Sequence, residues 1–254
     1  MSLRAVTTAT ITVLLLCSGI GVAHATEPTS PSPTPSASPS DPVPPAPTPT
    51  PTPPTSPECR GAADTRRTSK QRAKPFTVCG VAVFSRHHRV TAAYHPKLVS
   101  VAVKRNGISG VRLQSGAAKA LKAMFAKAKK SGHTLVVRSA YRSYATQKRL
   151  YRRDHVLAAM PGASEHQPGL AVDLAAIRKG RLVRGYGFGS SAAGRWVRRH
   201  AAEYGFILRY PNHQKALTGI PSEPWHFRYV GVDVAKAVAT TKTKTLERYL
   251  RIKS

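Results

Sequence analysis

Fourteen of the chain's 21 prolines fall between Thr26 and Pro57, in a stretch otherwise made almost wholly of Ser, Thr and Ala. Proline has no amide proton to donate, and the stretch offers almost nothing apolar, so it can join neither a sheet nor a packed core. It is expected to be an extended, semi-rigid spacer reaching on the order of 100 Å, at about 3.1 Å per residue. The plainer alternative is a solubilising stalk of no particular length. Folded structure must therefore come after it. The segment Glu58–Ser254 is the right size for a single domain with a substantial core, and it shows no internal repeat.

Residues 1–25 carry one positive charge, Arg4, then an apolar stretch around Ile11–Val22 and the small-residue pattern Ala23-His24-Ala25. This pattern reads as a secretory signal cleaved after Ala25, which places the chain outside the cell. The competing reading is an uncleaved membrane anchor, against which stands an apolar stretch shorter than the ~20 residues that cross a bilayer comfortably. Cys17 follows three leucines rather than the small residue of a lipidation site. Cys59 and Cys79 are then an even pair in an exported chain, and a disulfide between them would fasten the start of the domain to its first strand.

Hydrophobic periodicity predicts a strand over Thr77–Phe84 and a helix over Ser115–Lys130, where Ala118, Leu121, Met124, Phe125 and Ala128 recur at helical spacing. Further strands are expected at Thr134–Ser139, Leu170–Leu174, Phe206–Tyr210 and Trp225–Tyr229. Helices are expected at Tyr144–His155, Ser191–Tyr204, Val232–Ala239 and Leu246–Leu250. Strands and helices mix without a strand-helix-strand rhythm, so the expected class is α+β.

Glu58–Ser254 holds 39 of the 40 Lys and Arg but only nine Asp and Glu. Three of those nine, Glu165, Asp173 and Glu223, sit in two short motifs: Ser164-Glu165-His166-Gln167-Pro168-Gly169-Leu170-Ala171-Val172-Asp173 and Glu223-Pro224-Trp225-His226. Carboxylates are scarce, yet they cluster where a divalent cation would need them. Two imidazoles and a carboxylate (His166, His226, Asp173) can hold Zn2+ and leave a fourth position for water. A bend at Pro168-Gly169 can turn His166 and Asp173 towards one ion. Fifty-three residues separate Asp173 from His226, a spacing usual for catalytic rather than finger-like sites. Glu223 precedes a proline and is biased to extended backbone, which leaves its carboxylate free to act as general base beside the metal. Arg142 is the candidate cation for the oxygen that becomes negative under attack. Glu165 is a possible third carboxylate for the metal, but its neighbour His166 takes the opposite side of an extended backbone. The remaining histidines, His87, His88, His95, His133, His155, His200 and His213, read as structural or solvent-facing.

These motifs, together with Ser139-Ala140-Tyr141-Arg142-Ser143-Tyr144, Gln147, Tyr204-Gly205-Phe206-Ile207-Leu208-Arg209-Tyr210-Pro211, Thr218-Gly219-Ile220 and Leu246-Glu247-Arg248-Tyr249-Leu250, resemble the D-alanyl-D-alanine carboxypeptidases of the VanY type. That family consists of zinc metallopeptidases acting on peptidoglycan stem peptides. The resemblance covers roughly residues 77–251. It implies a small antiparallel sheet flanked by helices, His166, Asp173 and His226 as zinc ligands, Glu223 as catalytic base, and Arg142 near the scissile carbonyl. It also implies that Gln147 and Ser164 help to seat the substrate. Ser85-Arg86-His87-His88-Arg89 departs from the family, whose members often have an Asn-Lys stretch there.

Nine acids against 39 basic residues leave Glu58–Ser254 at about +30 with histidines neutral. Such a surface seeks polyanions, and outside a cell these include anionic wall polymers. Export and the lack of any nucleic-acid-reading motif argue against a specific nucleic-acid partner. The functional expectation is a monomeric D,D-carboxypeptidase. An endopeptidase or dipeptidase with the same metal site is the nearest rival, and a non-catalytic basic wall-binding module is the rival from another class.

Overall fold

The computed structural model describes residues 71–155, 158–241 and 244–252. The expected signal, the spacer and Cys59 lie outside the described residues. Strands β1 (Phe76–Val78) and β2 (Val81–Val83) pair antiparallel around Cys79 and Gly80. The single strand expected over Thr77–Phe84 is therefore a hairpin. Both turn residues take positive φ, 51° and 75°, as a tight primed turn requires, and hydrophobic pattern alone does not reveal a two-residue reversal. A second short pair, β3 (Val99–Ser100) and β4 (Arg112–Leu113), precedes helix α1 (Ser115–Lys130), which forms over the expected span. Its buried Ala117, Ala118, Leu121, Met124 and Ala128 make one apolar stripe, and Lys127, Lys129 and Lys130 sit at the negative end of the helix dipole.

The main sheet has five antiparallel strands: β5 (Thr134–Ser139), β6 (Ala171–Arg178), β7 (Arg181–Val183), β8 (Phe206–Leu208) and β9 (His226–Tyr229). The order is β5-β6-β9-β8, with β7 pairing the far end of β6. Strand β6 was expected to stop at Leu174; it runs on because β7 turns back to cover Ala176–Arg178, a hairpin that the alanine-rich sequence does not announce.

Helix α2 (Tyr144–Arg153) is capped by Ser143, whose hydroxyl accepts from the Thr146 amide, and it ends two residues short of the expected His155. The expected helix over Ser191–Tyr204 is composite. Ser191 caps α4 (Ala192–His200), a 3-10 turn carries the chain to Tyr204, and Gly205 closes it at φ 75°. Helix α3 (Gly185–Ser190) precedes it and escapes sequence reading because three of its six residues are glycines, poor helix formers. Three helices follow: α5 (Lys215–Thr218), α6 (Val232–Thr240) and α7 (Leu246–Leu250).

One face of the sheet, through Val172, Leu174, Ala176 and Phe227, packs on Leu121 and Met124 of α1 and on Trp196 and Val197 of α4. A second cluster joins the β1–β2 hairpin, Ile207, α6 and α7. Because side chains alternate along a strand, burying Val172, Leu174 and Phe227 on the helical side sends Asp173 and His226 to the other. Among the described residues no helix is long and apolar enough to cross a membrane.

Candidate active site

Strand register brings the first two site residues together. Asp173 of β6 and His226 of β9 are direct cross-strand partners, so their side chains leave the same face side by side. His166 arrives from the loop before β6, which reverses at Gly169, with φ 68°. The backbone angle calls for glycine, and a Cβ there would also displace the Leu98 side chain, whose Cδ2 would lie 2.4 Å away. The loop is strapped down: the Gln114 side chain donates to the Pro168 carbonyl at 2.9 Å, and the Arg142 amide donates to the His166 carbonyl at 3.1 Å. His166 Nε2 stands 3.4 Å from one Asp173 oxygen, and His226 Nδ1 stands 3.2 Å from the other. One donor atom from each of the three residues lies within 4.8 Å of the other two.

The hydrogen bonds behind these groups fix which nitrogen faces inward. His166 Nδ1 donates to the Ala140 carbonyl at 2.7 Å, leaving Nε2 as a lone pair. His226 is turned the other way: its Nε2 donates to Glu165 Oε2 at 3.2 Å, leaving Nδ1 towards Asp173. His166 Nε2 and Asp173 Oδ1 are buried without a hydrogen-bond partner among the described residues. Buried polar atoms are normally paired, so two orphans converging on one space fit a divalent cation. Burial, followed by the Arg142 charge, pushes His166 down to about 4, so it is neutral as a ligand must be. Burial works against the charged form of His226, yet the negative carboxylates of Asp173 and Glu165 beside it lift it to about 9. Burial also opposes ionisation of Asp173, but the two histidines hold its carboxyl well below the usual range. The cluster favours positive charge at this spot, whether carried by a proton or by a metal ion.

Glu223 lies beside the three but is not one of them. Its Oε2 is 3.5 Å from His226 Nδ1, and the Glu223-Pro224-Trp225-His226 stretch is a turn closed by the His226 amide donating to the Glu223 carbonyl, in keeping with the expected non-helical backbone. Burial first of all pushes its carboxyl up to about 7, into the range of a group that takes and returns protons near neutrality. Arg142 faces the same cavity of about 200 Å³, with Ser164, Tyr210 and Trp225 also on its wall. Burial lowers the Arg142 pKa, countered by the charges of Asp173 and Glu223.

The two residues expected to seat substrate are placed differently. Ser164 lines the cavity, and its Oγ accepts from the His166 amide at 3.4 Å. Gln147 is buried in α2 and donates to the Ala159 carbonyl at 2.7 Å, so it braces the loop that forms one wall of the cavity. Glu165 is not one of the three converging residues. It accepts from Arg209 Nε at 2.8 Å, Arg228 Nη1 at 3.0 Å and His226 Nε2, and Arg209 continues to Glu247 of α7. Sequence reasoning gave no role to Arg209, Arg228 and Glu247. The available signal was the scarcity of acids, since Glu247 is one of only nine in Glu58–Ser254 and is 2 % exposed.

The family model "D-alanyl-D-alanine carboxypeptidase" (VanY) matches residues 110–232. The LdcB LD-carboxypeptidase, solved to show the basis of peptidoglycan recognition, is 34% identical with a TM-score of 0.61, covering 71% of this chain and 95% of that one. The chain belongs to the VanY-type carboxypeptidase family. A VanY D,D-pentapeptidase from the VanB-type resistance cassette, solved in complex with Zn(II), is 28% identical with a TM-score of 0.56, covering 66% of this chain and 97% of that one. YodJ of Bacillus subtilis (strain 168) is 42% identical over 146 residues, 54% of this chain and 53% of YodJ. The chain thus spans about half the length of that curated relative.

Proposed function

We propose that the chain is a zinc-dependent D,D-carboxypeptidase that releases terminal D-alanine from peptidoglycan stem peptides. The observation that carries this reading is the convergence of three inward-facing donors, two of them orphaned, on a space beside the free carboxylate of Glu223. Zinc held by His166, Asp173 and His226 would supply Lewis acidity towards water and the scissile carbonyl. Glu223 takes the attacking water's proton on a carboxylate oxygen and returns it to the departing amine. Arg142 presents its guanidinium to the carbonyl oxygen as that oxygen gains negative charge. Glu165 holds His226 in the tautomer that keeps Nδ1 available, and Ala140 does the same for His166 Nε2.

Export through the signal at residues 1–25 and a Cys59–Cys79 bridge belong to the same proposal; Cys79 as a half-cystine supports the bridge. An L,D-specific reading is favoured by one observation, the extent of the match to the LD-carboxypeptidase LdcB. Mass spectrometry of stem peptides decides between them. Loss of one alanine from a pentapeptide supports D,D-cleavage. Loss of D-alanine from a tetrapeptide, with the pentapeptide left intact, refutes it in favour of the L,D bond. A released dipeptide or an opened cross-link would point to the dipeptidase or endopeptidase reading.

A further inference from the structure

The face of α1 away from the core carries Lys119, Lys122, Lys127, Lys129 and Lys130 and no acid. Where α1 meets β5 and the segment after β3, a groove of about 540 Å³ opens. Lys104, Lys122 and Lys129 line it over a floor that includes Phe125 and Leu135. No acidic residue lies on any segment lining it, and none of the three lysines makes an ion pair among the described residues. The groove is held in shape by backbone bonds: the Val137 amide donates to the Lys104 carbonyl at 2.9 Å, and the Asn106 amide donates to the Val137 carbonyl at 3.0 Å.

We propose that this lysine-lined groove between α1 and β5 is a docking site for a linear phosphodiester polymer, separate from the catalytic cavity. Three features select that partner. The lining cations are all lysines, point charges with no fork to match a planar carboxylate, and they suit single phosphates placed in series. The apolar floor can take the uncharged links between phosphates. The site is concave, and its apolar residues are recessed rather than protruding as they would for insertion into a lipid surface.

Position supplies the functional sense. Asp173 pairs with Ser139 at one end of β5, whereas the groove reaches the other end at Thr134 and Leu135. At roughly 3.4 Å per residue the two sites stand about 14–17 Å apart along the strand, so polymer in the groove leaves the cavity free. The groove would hold the enzyme on an anionic polymer while the cavity works, and it does not depend on which peptide bond is cut.

The test compares two triple variants of equal charge change, Lys104→Glu/Lys122→Glu/Lys129→Glu in the groove and Arg178→Glu/Lys179→Glu/Arg181→Glu on the β6–β7 hairpin. The probes are a poly(glycerol phosphate) oligomer, phosphatidylglycerol vesicles and a single-stranded oligonucleotide. With each lysine contact worth about five-fold, the groove variant is expected to bind the oligomer roughly a hundred-fold more weakly, and the hairpin variant less than about three-fold. Cleavage of a short soluble peptide and the melting temperature should match the parent in both. Equal losses in the two variants would reduce the effect to overall charge and overturn the proposal. So would binding to vesicles or to the oligonucleotide that is tighter than to the oligomer and equally dependent on the groove.

Discussion

Glu247→Gln should be costly although the residue stands on the last helix, well away from any substrate. Glu247 is 2 % exposed, and Arg209, from which it accepts two hydrogen bonds, is 3 % exposed, so solvent screens this pair very little. In the parent, two guanidiniums, Arg209 and Arg228, are balanced by two carboxylates, Glu165 and Glu247. The substitution keeps the shape and one acceptor but leaves Glu165 alone against both cations, one uncompensated buried charge. Breaking a buried pair in this way costs about 3–5 kcal/mol, and the retained acceptor argues for the lower end, about 3. For a domain of this size that lowers the melting temperature by about 6–12 °C. Calorimetry on the full chain measures it, and adding Arg209→Met in the same background should restore much of the loss because the charge balance returns. A shift below about 2 °C for Glu247→Gln, or no recovery in the double variant, would refute the view that this network is a charge-balanced support.

Other expectations follow from the site. Glu223→Gln should lower turnover on a pentapeptide stem by about a hundred- to ten-thousand-fold while zinc content, read by atomic emission, stays near the parent's. His226→Ala should lose both activity and metal, and unaltered hydrolysis in the Glu223 variant would remove the proposed base. Arg142→Ala should reduce kcat by about a hundred-fold or more, with zinc retained. Chelation should abolish activity, and added Zn2+ should restore it, as a peptide-release assay would show. Burial alone would raise the Glu165 carboxyl, but Arg209, Arg228 and His226 hold it below its ordinary value. Its contribution to stability is therefore fully present above about pH 4.3 and is lost as pH falls below that, so urea midpoints should decline more steeply in the acid range for the parent than for Glu165→Gln.

Much of this protein is legible residue by residue. Helix α1 is written in its apolar period, and His166, Asp173, Glu223 and His226 stand out because acids are so scarce. These are local properties: composition, period and motif. The hairpin at Cys79-Gly80, the extension of β6 by β7, the glycine-rich α3 and the buried Glu165–Arg209–Glu247 chain depend instead on what each segment meets in space. Alternation beside His166 argues Glu165 away from the metal but assigns it no partner, and it is two arginines from distant strand segments that claim it and turn it to orienting His226. Chain order cannot reveal this, because a buried carboxylate is assigned by the charges packed around it, and only the register of β6 against β9 puts Asp173 and His226 at one point.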